Sequence, residues 1–528
     1  MSILPPILRL AALALGLAAT PGWAQSTPTT LRFIPQADLR SIDPIWTTAY
    51  VTRNFGYLVF DTLFALDKDF NPQPQMVDHW TVSADKLTYT FTLRDGLKWH
   101  DGQPVRAADC VASVERWGKR DPFGQKLMDA VGEIKPVDDK TFTISLKTPF
   151  PLILSALGKL SSNVPLMMPE RLAKTDPFKQ IPEAIGSGPF KFVRSEWVPG
   201  SKAVFVKNTE YPPRKEPPSF ASGGKVPKVD RVEWLYIPDS ATASAALNSG
   251  EADWYEQPPT DLLPVFASNA DIVVTTVDPL GNQGILRFNQ VQPPFDNLKL
   301  RLAVLNLVNQ QDYMHAAAGD PKYWKTCAAI FGCGTPFETN AGAGALLKGP
   351  DPAKAKQLIA DSGYKGEKIV LLDATDQPIV HGQALVTLAM LRQAGLNVEL
   401  QALDWGTLIT RRASKAPIDQ GGWNIFHTWT AAPDLASPAV NAGLRANDGK
   451  AWFGWPSDPN LEALIDQWFK APDIAAQKKL AADIQIEAYA NAVPYVPTGQ
   501  FLIPTAYRKN LHGIIIAPVV FFWNVEKD

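Results

Sequence analysis

One stretch near the start of the chain, residues 66–116, constrains the fold more than any other. Within it, Leu87–Arg94 alternates apolar and polar residues, a pattern typical of a β-strand with one buried face. The dipeptides Asp95–Gly96 and Asp101–Gly102 favour tight turns on either side of Trp99. The stretch therefore predicts a small β subdomain, which by itself says nothing about function.

Length and charge narrow the class of protein. A chain of 528 residues is too long for one hydrophobic core, so we expect two or three lobes. The formal net charge of −2 leaves no excess of positive charge for nucleic-acid phosphates. The 46 prolines are spread through the chain, which favours a globular protein rich in loops. A nucleic-acid partner is therefore not expected.

Residues 1–24 have the pattern of a cleaved signal peptide. Arg9 precedes a short apolar run, and Gly22–Trp23–Ala24 place small residues before a cut at Gln25. A membrane anchor is the alternative, but the run is shorter than the ~20 residues that span a bilayer. The first cysteine is Cys110, so a lipoprotein is not expected. We expect a protein exported to the periplasm.

The cysteines fit that compartment. Cys327 and Cys333 are six residues apart, and in an oxidising environment they favour a small disulfide loop. A metal-binding pair is the alternative, although none of the six histidines lies within ten residues of both cysteines. Cys110 lies in a helical pattern, and we expect a buried, unreactive thiol there.

Three further segments follow residues 66–116 in a characteristic order. They are a glycine-rich turn at residues 186–192, the sequence Ala246–Asp253, and the pair of segments 284–289 and 293–303. With these four signatures the chain resembles the extracytoplasmic solute-binding proteins of peptide and nickel ABC importers, solute-binding family 5. The resemblance covers nearly the whole chain after the signal peptide.

The resemblance implies an α/β fold of the periplasmic-binding-protein-like type II, class C. In such a fold two lobes are joined by two crossing hinge segments, and lobe I carries an extra subdomain. The implied boundaries are residues 25–58, 186–279 and 495–528 for lobe I, 59–185 for the extra subdomain, and 280–494 for lobe II, with crossings near 280–288 and 495–501. Independently, the strand–helix–strand pattern of residues 368–404 favours a parallel sheet.

No catalytic pattern appears in the sequence. A phosphate-binding loop and a Gly-x-Ser-x-Gly elbow are both missing, and no two histidines have the spacing of a zinc site. We therefore expect no enzyme activity, no cofactor and no bound metal. A secreted hydrolase is an alternative of a different class, and a receptor for a metal chelate or an oligosaccharide is an alternative on the same fold.

Aromatic residues in lobe II are the strongest candidates for ligand contact, because flat rings with a polar edge can cover peptide planes or sugar faces. The cluster comprises Trp423, Phe426, His427, Trp429, Trp452, Phe453 and Trp455. Most of these rings are expected in the core, but at least one of Trp423, Trp429 and Trp455 is expected to line the cleft.

The resemblance also implies charged contacts. In peptide-binding relatives an aspartate that follows a tryptophan anchors the ligand ammonium; aligned on Trp429, that position is Ala432, and Asp434 lies two residues later. Arg411 and Arg412 lie where relatives often bind a ligand carboxylate, although a solvated helix end is the alternative. These departures favour a capped, cyclic, glycosidic or otherwise uncharged ligand.

On the lobe I side, the loop that reaches the cleft in relatives matches Trp46, Thr47 and Tyr50. Asn282 and Gln283 flank the first crossing, where they could bond a peptide backbone or simply satisfy strand edges. The sequence thus predicts a monomeric periplasmic receptor that closes on a peptide or similar polar solute. Its partners would be an inner-membrane ABC permease and ATPase.

Overall fold

The computed structural model describes residues 28–528, so the predicted signal peptide lies outside the described residues. Within residues 28–528, every helix is too short or too polar to cross a membrane.

Two mixed β-sheets form the frame of the molecule. The first sheet has seven strands, in spatial order Phe190–Phe192, Lys202–Lys207, Arg231–Leu235, Thr30–Ile34, Trp254–Tyr255, Thr505–Arg508 and Ile272–Thr275. The second sheet has six strands, in spatial order Trp324–Lys325, Tyr495–Phe501, Asn282–Phe288, Ile425–Ala431, Ile369–Ala374 and Val398–Leu403. We call the parts built around these sheets lobe I and lobe II.

The two crossings differ slightly from the sequence-based boundaries. Tyr495–Phe501, which was assigned to lobe I, pairs antiparallel with Asn282–Phe288 in the second sheet. Its seven residues are all buried there. The chain therefore returns to lobe I after Phe501, because burial and strand pairing hold this segment in lobe II. The other boundaries stay predictions.

A third sheet lies in the extra subdomain. It contains Val77–Val82, Thr88–Leu93, Thr141–Leu146 and Val131–Pro136, in that spatial order. The predicted alternation is confirmed, since Tyr89, Phe91 and Leu93 are buried and the residues between them are half-buried. Smaller antiparallel pairs are Asp61–Thr62 with Leu166–Met167, Phe64–Leu66 with Pro72–Pro74, and Leu511–His512 with Glu526–Lys527.

Helices cover the sheets. They are Tyr50–Val59, Ala107–Gly118, Pro122–Ala130, Ile153–Leu157, Glu170–Ala173, Ser240–Ser249, Leu263–Ala267, Leu298–Leu307, Gln310–Ala318, Gly344–Lys348, Pro352–Ser362, Pro378–Gln393, Trp405–Arg411, Pro459–Phe469 and Ile474–Glu487. Helix Pro378–Gln393 joins the parallel strands Ile369–Ala374 and Val398–Leu403, which confirms the predicted strand–helix–strand unit.

The first helix ends earlier than its sequence pattern indicates. The pattern extends to Leu63, but the helix stops at Val59 because Phe60 is extended. Asp61 and Thr62 instead pair with Leu166–Met167.

The three cysteines form one disulfide and one free thiol. Cys327 and Cys333 are joined by a disulfide, with their Cα atoms 5.9 Å apart. Cys110 is a free, buried cysteine, and burial raises the pKa of its thiol well above the ordinary value.

Candidate ligand-binding cleft

A cavity of about 330 Å³ lies where lobe I meets lobe II. Lobe I contributes Tyr236 and Tyr255, and lobe II contributes His315, Asp376 and Trp429. The remaining lining is largely proline, alanine and other small or apolar residues. This volume is within the range of small-molecule sites. The cavity is the candidate ligand-binding cleft.

A smaller cavity of about 60 Å³ continues the cleft towards the first crossing, and we call it the hinge-end cavity. It shares Trp429 with the larger cavity. Its polar lining comprises Gln36, Tyr50, Arg53, Glu256, Gln257, Asp278 and Asn282. Space of this size holds a few water molecules or a small polar group of a ligand.

Tyr50 joins the lobes beside this cavity. Helix Tyr50–Val59 packs on lobe I, with Phe55 5.2 Å from Phe192 between ring centroids. From the start of that helix, the Tyr50 hydroxyl donates a hydrogen bond to Asp434 (2.9 Å) and accepts one from the Ala431 N–H (2.9 Å). The Tyr50 and Trp429 rings lie 5.2 Å apart. The two lobes are therefore in contact, as in a closed receptor.

One carboxylate oxygen of Asp434 accepts several hydrogen bonds at this contact. The hydroxyl groups of Tyr50, Ser161 and Ser162 all donate to the same carboxylate oxygen, at 2.9, 2.7 and 3.2 Å. Asp434 is absent from the lining of both cavities described above. One oxygen of its carboxylate therefore binds the opposite lobe and the extra subdomain, whereas the other, Oδ1, is buried with no hydrogen-bond partner among the described residues. The expectation that Asp434 contacts the ligand stays a prediction.

Three residues of the aromatic cluster lie in the core and not in the cleft. Trp423 is fully buried and donates its indole N–H to the Ser414 carbonyl (3.2 Å). Trp455 packs on Trp423, and the His427 ring bonds Thr387 (2.8 Å) between a strand and a helix. Burial lowers the pKa of His427 to about 3, so its ring is neutral. Of the three candidate tryptophans, Trp429 is the one that lines both cavities.

The two arginines are also structural. Arg411 donates to the carbonyls of Gly421 and Gly422 at 3.0 and 3.1 Å, which closes the end of its helix. Arg412 is buried, with its guanidinium 4.6 Å from the Phe453 ring centroid and 5.3 Å from that of Trp452. Burial lowers the pKa of Arg412 to about 10. Neither arginine lines the two cavities, which corrects their expected role as carboxylate ligands.

Trp46, Thr47 and Gln283 likewise make internal contacts. The Trp46 indole donates to the Phe178 carbonyl (3.1 Å), and the Thr47 hydroxyl accepts from the Ala49 N–H (3.2 Å). The Gln283 amide donates a hydrogen bond to the Ala329 carbonyl (2.8 Å). Its side chain therefore bonds the protein backbone, which was the alternative to a role in ligand binding. These three expectations are corrected, whereas Tyr50 and Asn282 do line the hinge-end cavity.

The acidic residues of this cavity were not predicted from the sequence. Glu256 directly follows the strand Trp254–Tyr255, and Asp278 directly precedes the first crossing. Burial raises the pKa of Glu256 to about 7 and that of Asp278 to about 6. The position of Glu256 three residues after the third signature was the one sequence signal that could have indicated it.

Glu256 makes folding stability depend on pH. Its pKa rises from 4.5 to about 7 on folding, so between these values the folded state binds more protons than the unfolded chain. The free energy of unfolding therefore decreases as pH rises through this interval, by about 3 kcal/mol for this group. We expect Glu256→Gln to match the wild type near pH 4.5 and to be more stable at pH 8.

Chemical denaturation of both proteins across this range checks the prediction. Two buried histidines act in the opposite direction, because burial lowers the pKa of His100 to about 4 and that of His427 to about 3. The difference between variant and wild type isolates Glu256, since both proteins keep these histidines. A difference that did not change with pH would contradict the prediction.

Comparison with known proteins identifies the family. Residues 71–450 match the model of the bacterial extracellular solute-binding proteins, family 5 Middle. A probable peptide ABC transporter periplasmic-binding protein of Sinorhizobium fredii is 41% identical, over 97% of this chain and 98% of the relative.

Solved structures show the same two-lobed α/β fold. The binding protein AgaA of A. tumefaciens R10, in complex with agropinic acid, has a TM-score of 0.78 at 21% identity and covers 94% of this chain and 99% of its own. The dipeptide-binding protein of Pseudoalteromonas sp. SM9913, in complex with Met-Leu, has a TM-score of 0.76 at 20% identity, with 94% and 100% covered. The chain belongs to the bacterial extracellular solute-binding proteins of family 5.

Proposed function

We propose that this protein is the periplasmic receptor of an ABC importer and captures a peptide or similar small polar solute between its lobes. It would act as a monomer and deliver the solute to an inner-membrane permease and its ATPase. The observation that carries the proposal is the cavity of about 330 Å³ at the junction of two lobes that contact each other through Tyr50, Trp429 and Asp434.

The lining of the cleft suits a solute with both flat and polar parts. Tyr236, Tyr255 and Trp429 provide broad rings, and Gln36 and Gln257 provide amide groups for hydrogen bonds. Rings of this kind cover peptide planes without demanding one particular side chain. The name of the Sinorhizobium fredii relative supports a peptide, and the AgaA complex with agropinic acid supports another small solute as the alternative.

Closure of the two lobes explains how the receptor would capture a solute. A solute that contacts both lobes makes its full set of contacts in the closed state, so it shifts the equilibrium towards closure. The closed cleft also excludes water, which strengthens each polar contact with the solute. No chemical step is needed for this function.

Extraction of ligand from the purified protein tests the proposal. We expect mass spectrometry of the extract to identify a small polar solute. Returned to ligand-free protein at 100 times its dissociation constant, that solute should raise the free energy of unfolding by about 2.7 kcal/mol. If nothing is extracted, and no peptide, oligosaccharide or metal chelate in a thermal-shift panel raises the melting temperature, the proposal is wrong.

A further inference from the structure

The hinge-end cavity contains a buried amide with no partner. Asn282 is 6% exposed and lines the cavity, and its side chain makes no hydrogen bond to any residue between 28 and 528. Its strand, Asn282–Phe288, pairs on both sides, so the backbone is fixed while the side chain is available. A buried polar group normally has a partner. This amide is open to the cavity and is therefore free to bond a ligand group there.

Two carboxyl groups line the same cavity. Glu256 accepts hydrogen bonds from the Gln36 N–H (2.8 Å) and the Asn54 amide (3.1 Å). Asp278 accepts one from the Leu280 N–H (3.0 Å). These bonds hold each carboxyl group in place but supply no full positive charge. A carboxylate has about four lone-pair sites, so both groups retain unused acceptor capacity.

Among the residues that line this cavity, Arg53 carries the one positive charge, which offsets one of the two acids but not both. Its guanidinium donates to Asn54 (3.2 and 3.0 Å) and to Ser161 (2.6 Å), and lies 4.3 Å above the Tyr50 ring. In the described part of the chain, neither Glu256 nor Asp278 forms an ion pair within 4.0 Å. With both carboxyl groups ionised, the cavity would carry one net negative charge.

The residues that line the larger cavity also carry a net negative charge. The larger cavity is lined by Asp261 and Asp376, and its lining residues include no lysine or arginine from the described chain. The charged residues that line the two cavities are therefore four acids and Arg53, with His315 in the larger cavity as a further titratable group. A negatively charged cleft favours a positively charged solute.

We propose that the hinge-end cavity binds an alkylammonium group of the solute, with Glu256 and Asp278 as charged acceptors and the Asn282 carbonyl oxygen as a neutral one. This inference rests on the proposed function and names a chemical feature of its substrate. It revises the sequence-based expectation of an uncharged ligand, because Glu256 and Asp278, which come from other segments of the chain, line the same cavity as Trp429 and replace the aspartate that is missing at Ala432. The ammonium could belong to a peptide α-amino group or to a basic side chain.

Two matched pairs of peptides distinguish these sources by isothermal titration calorimetry at pH 7.5. The first pair is trialanine and N-acetyl-trialanine. The second pair is N-acetyl-Ala-Lys-Ala and the same peptide with norleucine in place of lysine. We expect the member of at least one pair that carries an ammonium group to bind about 10-fold or more tightly than its match without the ammonium group, as charge-assisted hydrogen bonds allow.

Glu256→Gln should reduce that preference to about 3-fold or less, whereas Glu251→Gln should leave it unchanged, because Glu251 is exposed and outside both cavities. Asp278→Asn provides a second variant should Glu256→Gln fold poorly.

Titrations near pH 6.5 in buffers of different ionisation enthalpy add an independent readout, the number of protons released on binding. The ammonium should displace a proton from the carboxyl groups, and Glu256→Gln should reduce this release. Arg53 and Tyr50 also face the cavity, and both are retained in every variant.

The outcomes separate this inference from the proposed function. If the peptides without an ammonium group bound as tightly as their ammonium-bearing matches, the ammonium site would be overturned and the receptor function would stay intact. An extracted solute without a cationic group would do the same. Failure of every peptide to bind, together with no extracted solute, would overturn both.

Discussion

Replacement of Trp429 by alanine is expected to weaken ligand binding by about 30-fold or more, the effect of removing an aromatic anchor worth ~2 kcal/mol. Trp429 lies on the strand Ile425–Ala431 and lines both cavities. Its ring lies 5.2 Å from that of Tyr50 and 6.4 Å from that of Phe501. Since it is half-buried at the edge of an open space, its loss should cost little stability. Calorimetry with the extracted solute measures the change.

Trp423 provides the matched control. It lies six residues before Trp429 but is fully buried against Phe426 and Trp455. Trp423→Ala should therefore lower the free energy of unfolding by about 3–5 kcal/mol. If Trp429→Ala destabilised the protein as much as Trp423→Ala and bound solute normally after refolding, Trp429 would be a core residue and the prediction would be wrong.

Local elements of the fold were predictable because their causes are local. The hairpin strands Val131–Pro136 and Thr141–Leu146 follow from alternation and a turn between them. Helix Pro352–Ser362 follows from Asp351, whose side chain caps the first turn, and from Gly363, which has a positive φ of 76° at the end. In each case the residues that determine the element lie within or beside it.

The binding residues were harder to predict, because their roles depend on contacts between distant segments. Asp434 meets Ser161, 273 positions away, and that contact occupies one of its two carboxylate oxygens. The hinge-end cavity combines Gln36, Glu256 and Asp278 from three separate segments, and nothing in their local sequence indicates a shared site. Similarly, the aromatic cluster was recognisable, but which rings face the cleft depends on how the strand Ile425–Ala431 is packed.

Replacement of Arg116 by methionine is expected to lower the free energy of unfolding by about 3–5 kcal/mol, because it leaves a buried carboxylate without its counter-charge. Arg116 donates from Nη1 and Nη2 to Asp43 at 3.1 and 2.8 Å, and both side chains are almost completely buried. The pair joins the helix Ala107–Gly118 of the extra subdomain to lobe I. Urea unfolding followed by tryptophan fluorescence measures the loss.

Arg171→Met is the matched control, because Arg171 pairs with Asp101 at 3.0 Å on the surface, where both side chains are partly exposed. This variant should cost less than about 1 kcal/mol. The double variant Asp43→Asn with Arg116→Met should recover much of the lost stability, since no unpaired charge then stays buried. A loss from Arg116→Met as small as that from Arg171→Met would contradict the prediction.

The same pair should also influence the cleft. Asp43 accepts hydrogen bonds from the N–H groups of Ile45 and Trp46, and so fixes the loop that leads into the helix starting at Tyr50. Without Arg116, this loop should be less well ordered and Tyr50 less often in place to meet Asp434 and Trp429. We therefore expect Arg116→Met to weaken solute binding under conditions where the variant is still folded, and Arg171→Met to leave it unchanged. Unaltered affinity in folded Arg116→Met would show that the loop is held by its other contacts.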